Sequence, residues 1–208
     1  MAAMKYSLLL LFCALPVCGQ SVSFGIKAGV PVTAGQGTDD NRYTFATQRW
    51  TAGVTAELSL PANLSVGVDV LYRRFSYTTD FTEVGGGRTA ANIGHWEVPV
   101  YAKYRFGGQL ARPFVEAGFA FDRARTSGTS ECLGGATLCG IPPTATFSSS
   151  AWGRGFLVGG GVEIKAAFLK IAPEVRYTRW QKGVFQDQAL AVGSDRPNQV
   201  EALVGVRF

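Results

Sequence analysis

His95 is the one histidine of the 208-residue chain and the first residue to consider as a catalytic base. Acyl transfer by an imidazole needs a hydroxyl or thiol nucleophile held against the ring. The residue two positions after His95 is Glu97, which is not a nucleophile of that kind, and Trp96 lies between them. We therefore predict no catalytic residue and no enzymatic activity, and we expect His95 to be solvated at the edge of a loop.

Charged residues of both signs offer a second kind of chemistry, the formation of ion pairs. Fifteen of them alternate with apolar residues along short segments. The basic members are Lys27, Arg73, Lys103, Arg105, Lys165, Arg176 and Arg207, and the acidic members are Glu57, Asp69, Glu97, Glu116, Asp122, Glu163, Glu174 and Glu201. Because the two signs nearly balance, we expect pairing among them rather than a one-signed lining that attracts ions.

Two glycine-rich segments could suggest a phosphate-binding loop. Such loops precede the first turn of a helix. Gly85-Gly86-Gly87 is followed by no helical pattern, and Gly159-Gly160-Gly161 lies inside an alternating apolar segment. The sequence therefore predicts no cofactor.

Residues 1–19 have the pattern of a secretory signal peptide, with a positive start, an apolar segment and a small-residue cleavage site. Lys5, the segment from Leu8 to Val17, and Gly19 provide these three parts. Acylation at Cys18 is less favoured, because Val17 is bulkier than the residue such a site prefers. We expect a signal peptide over residues 1–19 and a single mature domain over residues 20–208.

Removal of the signal peptide leaves Cys132 and Cys139 as the cysteines of the mature chain. Two cysteines without nearby histidines do not complete a zinc site, so no metal is predicted. An exported chain meets an oxidising compartment, and the pair lies in a segment rich in glycine, serine and threonine. We predict a disulfide that closes a small loop.

The composition excludes several classes of protein. Leu8 to Val17 is the longest apolar run and is too short for a membrane-spanning helix, which needs about 18 residues. Charged residues make up 17% of the chain and aromatic residues 12%, which argues against disorder. The formal net charge of +5 is spread along the chain without a basic run, so nucleic acid is not an expected partner.

Apolar residues recur at every second position in eight segments, which predicts strands with unlike faces. The last segment places Val200, Ala202, Val204, Val206 and Phe208 opposite Glu201, Gly205 and Arg207. Each segment is about ten residues long, the length at which a tilted strand crosses a bilayer. The sequence predicts an all-β fold, an eight-stranded antiparallel up-and-down transmembrane β-barrel with the charged residues inside.

Connections between the predicted strands alternate between short and long. Short turns are predicted at 61–63, 107–112 and 166–168, and long loops at about 34–48, 79–94, 125–151 and 181–197. Outer-membrane barrels have short periplasmic turns and long outer loops, so both termini are expected in the periplasm. Four tryptophans lie where a long loop meets a strand, and we predict them at the outer membrane interface: Trp50, Trp96, Trp152 and Trp180.

These features resemble the small outer-membrane β-barrel family that includes the OmpA transmembrane domain and the OmpX type. The resemblance covers the whole mature chain and rests on the leader, the strands, the loop pattern and the terminal strand. It implies that Phe208 is the signal recognised by the barrel-assembly machinery during biogenesis. It is specific for the architecture and not for an activity.

An eight-stranded barrel is only wide enough for its own side chains, so we expect little conductance and a structural or surface-interaction role for the outer loops. Two alternatives stay open, a small porin-like channel and a lipid-modifying enzyme. The expected partners are outer-membrane lipid and lipopolysaccharide, and the expected state is a monomer. Arginines in or beside the outer loops are candidates to pair with lipopolysaccharide phosphates: Arg42, Arg88, Arg123, Arg125 and Arg154.

Overall fold

The structure is a computed structural model that describes residues 21–32, 43–46, 50–81, 86–132, 144–166, 168–181 and 198–208. The predicted signal peptide lies outside the described residues, as do Arg42 and Cys139. The described strands are β1 (Val22–Pro31), β2 (Tyr43–Ala46), β3 (Thr51–Ser59), β4 (Leu64–Phe81), β5 (Gly87–Arg105), β6 (Ala111–Cys132), β7 (Thr144–Ala166), β8 (Leu169–Trp180) and β9 (Asn198–Arg207). Within this part of the chain, no helix has the length and apolar character needed to cross a membrane.

The strands form a closed antiparallel ring. Neighbours in sequence pair with one another from β3 to β9, and β1 closes the ring by pairing with both β3 and β9. Strands β2 and β3 pair with different parts of β4, so they are two segments of the same position in the ring. The predicted eight-stranded up-and-down barrel is confirmed.

The barrel is apolar outside and polar inside. On β1, Phe24 and Ile26 are exposed on the outer surface. Lys27, the next residue after Ile26, points to the other side of the strand and is buried. The same alternation continues round the ring, with Phe119 and Phe156 in contact outside at a centroid distance of 5.1 Å. This arrangement follows from the two-residue period of a strand when lipid rather than water surrounds it.

Short turns connect the strands at one end of the ring, as predicted. The β3–β4 turn places Ala62 and Asn63 at φ 61°, the left-handed conformation that a type I′ two-residue hairpin turn requires at both central positions. Phe208 lies at the same end, where its backbone N–H donates to the carbonyl of Phe24. We call this the short-turn end of the barrel and the opposite one the hairpin end.

At the hairpin end the predicted lengths were wrong. Strands β4, β5, β6 and β7 contain 18, 19, 22 and 23 residues rather than about ten. They occupy much of the segments 79–94 and 125–151 that were predicted to be loops. These segments are rich in serine, threonine and glycine, so they lack the apolar alternation from which strands were predicted. They still form strands because backbone hydrogen bonds do not depend on the side chain, as in the pairing of Thr126 with Ser149.

Candidate functional site

The lumen contains a network of ion pairs centred on Arg176. This side chain projects from β8, has 0% relative exposure, and lies within 2.8 Å of Asp69, 3.0 Å of Glu116 and 3.1 Å of Glu174. Asp69 and Glu116 come from β4 and β6, so these two contacts cross the ring, whereas Glu174 lies two residues before Arg176 on β8. A guanidinium can satisfy several carboxylates because it presents five donors in a plane.

Lys27, on β1, extends the network to a fourth strand. Its Nζ is 2.8 Å from Asp69 Oδ2 and 2.7 Å from Glu174 Oε1. The second oxygen of Asp69 accepts hydrogen bonds from Thr55 at 2.6 Å and from Tyr101 at 3.0 Å. Asp69 is therefore a fully buried carboxylate whose two oxygens are both occupied.

Tyr101 fills the middle of the lumen. Its ring centroid is 5.3 Å from Lys27 Nζ, 5.1 Å from Lys103 Nζ and 5.2 Å from Arg176 Cζ. The facing residue on β4 is Gly67, where a Cβ would lie 2.5 Å from the tyrosine ring. The absence of a side chain at this glycine gives the ring its place between the cations.

A second cluster lies toward the short-turn end. Glu57 binds Arg105 and Arg207, and Lys103 Nζ lies 3.5 Å from the same carboxylate. Arg105 and Arg207 also both bind Glu163. Together the two clusters occupy the cross-section of the barrel with paired charges.

At the hairpin end the lumen is more acidic. Arg73 lies 3.8 Å from Glu97 and 3.7 Å from Glu201, which are longer separations than those around Arg176. Thr51 donates to Glu201 at 3.1 Å and Gln199 donates to Glu97 at 3.3 Å. The structure thus places fourteen of the fifteen charged residues predicted to pair in the interior, although the contacts loosen toward this end.

His95 is not solvated, contrary to the prediction. It is 1% exposed, and its Nδ1 lies 2.8 Å from Asp122 Oδ2 inside the barrel. The reason is that β5 continues as a strand through this position, so the side chain of His95 points inward while Trp96 lies on the outer surface. A loop edge would have placed it in water.

Trp180 and Lys165 also lie elsewhere than predicted. Trp180 faces the lumen, donates from Nε1 to Gln199 Oε1 at 2.9 Å, and packs against buried Tyr101, Ala120 and Leu157. Trp180 is four residues after Arg176 on β8, so the alternation of the strand points both side chains inward. This alternation continues to the end of the strand, where a residue at the membrane interface was predicted. Lys165 is exposed because β7 ends one residue after it, at Ala166.

The other three tryptophans lie on the outer surface. Trp50, Trp96 and Trp152 are exposed, and Tyr72 lies between the first two, with ring centroids 6.2 Å from Trp50 and 4.9 Å from Trp96. Arg123 stacks over Trp152, with its Cζ atom 4.9 Å from the ring centroid. The outer surface therefore has an aromatic row just where the long hairpins leave the ring.

Arg88 lies farther out, on the hairpin formed by β4 and β5. Its Nε donates to Asp80 at 2.8 Å, and this hydrogen bond holds the pKa of the Asp80 carboxyl below its ordinary value. Cys132, at the end of β6, is disulfide-bonded. In the described ranges, no three histidine, cysteine or carboxylate side chains are grouped so that they could hold a metal ion.

Sequence reasoning missed several residues that complete the lumen. Thr51, Thr55, Ser65 and Gln199 donate to or accept from its charged groups. The two-residue alternation predicts that these side chains point inward. However, a neutral side chain has no charge that would indicate which group it binds. Their partners come from other strands, so the contacts depend on the register of the ring.

Known proteins share this architecture. Residues 6–208 match the family described as outer membrane protein beta-barrel domain. The crystal structure of Neisserial surface protein A has a TM-score of 0.52 and 15% identity, covering 91% of this chain and 98% of that one. OprG from Pseudomonas aeruginosa has a TM-score of 0.47 and 13% identity, covering 91% of this chain and 95% of that one. Ail of Yersinia pestis has a TM-score of 0.43 and 12% identity, covering 91% of this chain and 97% of that one. No curated protein matches the sequence.

Proposed function

Since the chain belongs to the outer membrane protein beta-barrel domain family and lies in the cell outer membrane, we propose that its barrel is a closed anchor for an extracellular interaction surface. The short-turn end then faces the periplasm and the hairpin end faces outward. The observation that carries the proposal is the continuation of four neighbouring strands beyond the aromatic row.

This continuation forms what we call the extracellular sheet, made of residues 72–81, 87–96, 123–132 and 144–152. Its strands are hydrogen-bonded in register, from the pairing of Tyr72 with Trp96 to that of Glu131 with Thr144. Ten residues of strand extend about 34 Å along the strand at roughly 3.4 Å per residue. A paired sheet of that height holds its side chains in fixed positions, as a binding surface requires.

The lumen supports the anchoring half of the proposal. Arg176 and Lys27 bind carboxylates from opposite walls, and Tyr101 lies between them. Opening a water-filled path would separate these pairs and leave buried charges without partners, which is costly. A channel function is therefore less well supported than a closed anchor.

An enzymatic function is also less well supported. The His95–Asp122 pair faces the lumen, on the side of β5 opposite to the lipid-facing Trp96. Lipids of the outer leaflet contact the outer side of the strand. The pair is therefore turned away from the substrate that a lipid-modifying barrel would take.

Conductance in planar bilayers tests the closed anchor. We expect the purified full-length mature protein to give no stable unitary currents, because the paired charges fill the cross-section. A matched variant, Arg176→Ala with Tyr101→Ala, removes the central side chains and shows whether the assay detects an opened lumen. Reproducible channels from the unaltered protein would contradict the proposal.

A shortened hairpin tests the interaction surface. Removing residues 128–147 and joining Ser127 to Ser148 through an Asn-Gly turn preserves a cross-strand pair and the whole barrel. Gram-negative cells that display either form are applied to immobilised glycosaminoglycans and matrix glycoproteins. We expect the unaltered protein to retain cells and the shortened form to lose at least about tenfold of that retention, as when an interface loses its central residues.

The control replaces the periplasmic turn 107–110 by the same Asn-Gly pair, and the folded state of each form is checked by the mobility of unheated samples in gels. Equal retention by the shortened and unaltered proteins would show that the extracellular sheet is not the interaction surface.

A further inference from the structure

A row of basic residues lines the short-turn end of the barrel. On each of the neighbouring strands β5 to β9, the charged residue nearest to this end on the inner side of the sheet is basic. We call these residues the basic rim: Arg105, Arg112, Lys165, Lys170 and Arg207. The carboxylates that the structure describes near this end are Glu57 and Glu163, and both are buried.

The carboxylates neutralise two members of the basic rim. Arg105 and Arg207 each bind both Glu57 and Glu163. The other three members form no ion pair within the described part of the chain: Arg112, Lys165 and Lys170. The basic rim therefore has positive charge to offer to an anion from outside the chain.

The strand register brings these cations face to face. Lys165 on β7 lies directly opposite Lys170 on β8, and Lys170 lies directly opposite Arg207 on β9. Residues in such positions have Cβ atoms about 5 Å apart, and like charges there repel each other. An anion bound between the two lysines removes this repulsion. Phosphate is suited to the position because it offers several acceptor oxygens to neighbouring cations.

Exposed apolar side chains lie among the cations. Leu110 and Phe168, in the two turns next to the lysines, are 75% and 83% exposed, and Phe208 is 71% exposed. The carbonyl of Leu110 accepts a hydrogen bond from the N–H of Lys165 at 3.0 Å, so the first of these turns touches the basic rim. A surface that combines apolar side chains with cations fits the headgroup region of a lipid layer better than water. This combination favours a lipid phosphate over a soluble anion.

We propose that Arg112, Lys165 and Lys170 form a binding site for the phosphate group of anionic phospholipids in the inner leaflet. The inner leaflet is the one at this level because the short-turn end faces the periplasm in the proposed orientation. Phosphatidylethanolamine carries an ammonium group beside its phosphate, which the lysines repel, so the site favours lipids of net negative charge. The proposal rests on that orientation and not on whether the extracellular sheet binds a partner.

Native mass spectrometry of the full-length mature protein in detergent tests the site, with phosphatidylglycerol as the probe. We expect Lys165→Gln with Lys170→Gln to weaken binding by about tenfold or more, since each removes a hydrogen bond between charged groups. The matched control, Arg74→Gln with Arg125→Gln, removes two exposed positive charges at the hairpin end and is expected to change binding less than about twofold.

Two further probes identify the ligand. Phosphatidylethanolamine with the same acyl chains is expected to bind the unaltered protein as weakly as phosphatidylglycerol binds the lysine double variant. Inorganic phosphate is expected to leave bound phosphatidylglycerol in place, because it has no acyl chains to contact Leu110 and Phe168. Equal losses in the two double variants, equally tight binding of phosphatidylethanolamine, or displacement by inorganic phosphate would each overturn the assignment.

Two measurements keep the result interpretable. The mobility of unheated samples in gels shows whether each variant is folded. Should the lysine double variant not fold, Lys165→Gln and Lys170→Gln alone decide, with losses of about threefold or more expected for each. Lipid binding in detergent and cell retention by the extracellular sheet are measured separately, so failure of this proposal is distinguishable from failure of the proposed function.

Discussion

The two ends of the lumen use the same types of residue and satisfy their charges differently. Between the short-turn end and the middle of the barrel, five basic side chains bind five carboxylates: Lys27, Lys103, Arg105, Arg176 and Arg207 with Glu57, Asp69, Glu116, Glu163 and Glu174. At the hairpin end, Arg73 alone faces Glu97 and Glu201. The numbers of charges therefore match in one half and do not match in the other.

Oxygen atoms without a hydrogen-bond partner show the same contrast. In the described lumen, Glu97 Oε1, Asp122 Oδ1 and Glu201 Oε2 are buried and accept no hydrogen bond. Glu116 Oε2 and Glu174 Oε2 also accept none, but Lys103 Nζ lies 3.3 Å and 3.9 Å from them. We infer that the paired half stabilises the ring, whereas the acidic half adds little to stability.

The largest effect is expected for Arg176→Met. The substitution leaves Asp69, Glu116 and Glu174 buried without their shared cation, and removing one partner from a buried network costs about 3–5 kcal/mol. Urea unfolding of the mature protein in lipid vesicles measures the change in the free energy of unfolding. Arg73→Met removes the same charge at the hairpin end and should cost clearly less. Equal costs would show that the two halves do not differ.

A smaller effect is expected for Gly67→Ala in the paired half. The added Cβ would lie 2.5 Å from the ring of Tyr101, whose hydroxyl is held by Asp69. Displacing a buried ring to admit one methyl group costs about 1–3 kcal/mol. Gly107→Ala is the control, because a Cβ at Gly107 meets nothing within 4 Å. The same urea titration measures both variants, and a cost at Gly67 no larger than at Gly107 would mean that Tyr101 is loosely held.

The smallest effect, and one of opposite sign, is expected for Glu97→Gln in the acidic half. Neutralising this carboxyl removes its repulsion from Glu201 and should raise the free energy of unfolding by about 1 kcal/mol, the scale of one polar interaction. The same substitution at Glu57 removes the charge that faces Arg105 and Arg207 and should lower it by about 3 kcal/mol. If both substitutions destabilise the protein equally, the acidic half is as fully paired as the rest.

Alternation along the strands predicted the ring and the side of the sheet for most residues. On β8, Lys170, Glu174 and Arg176 are separated by even numbers of positions, so the sequence predicts that they lie on the same side of the sheet. Alternation did not predict that Arg176 bridges Asp69 and Glu116, because those residues come from β4 and β6. The predictions for His95 and Trp180 were wrong because a presumed strand end was given more weight than alternation, which places both side chains inward.

The sequence by itself determined the class of fold and the inside-out character of the barrel. The reason is that a strand surrounded by lipid must alternate apolar and polar side chains, and this period is local. Only the tertiary structure decided how far β4 to β7 extend beyond the aromatic row, which charges pair, and that Lys165 lies opposite Lys170. These features depend on register between strands, and register is set when the ring closes.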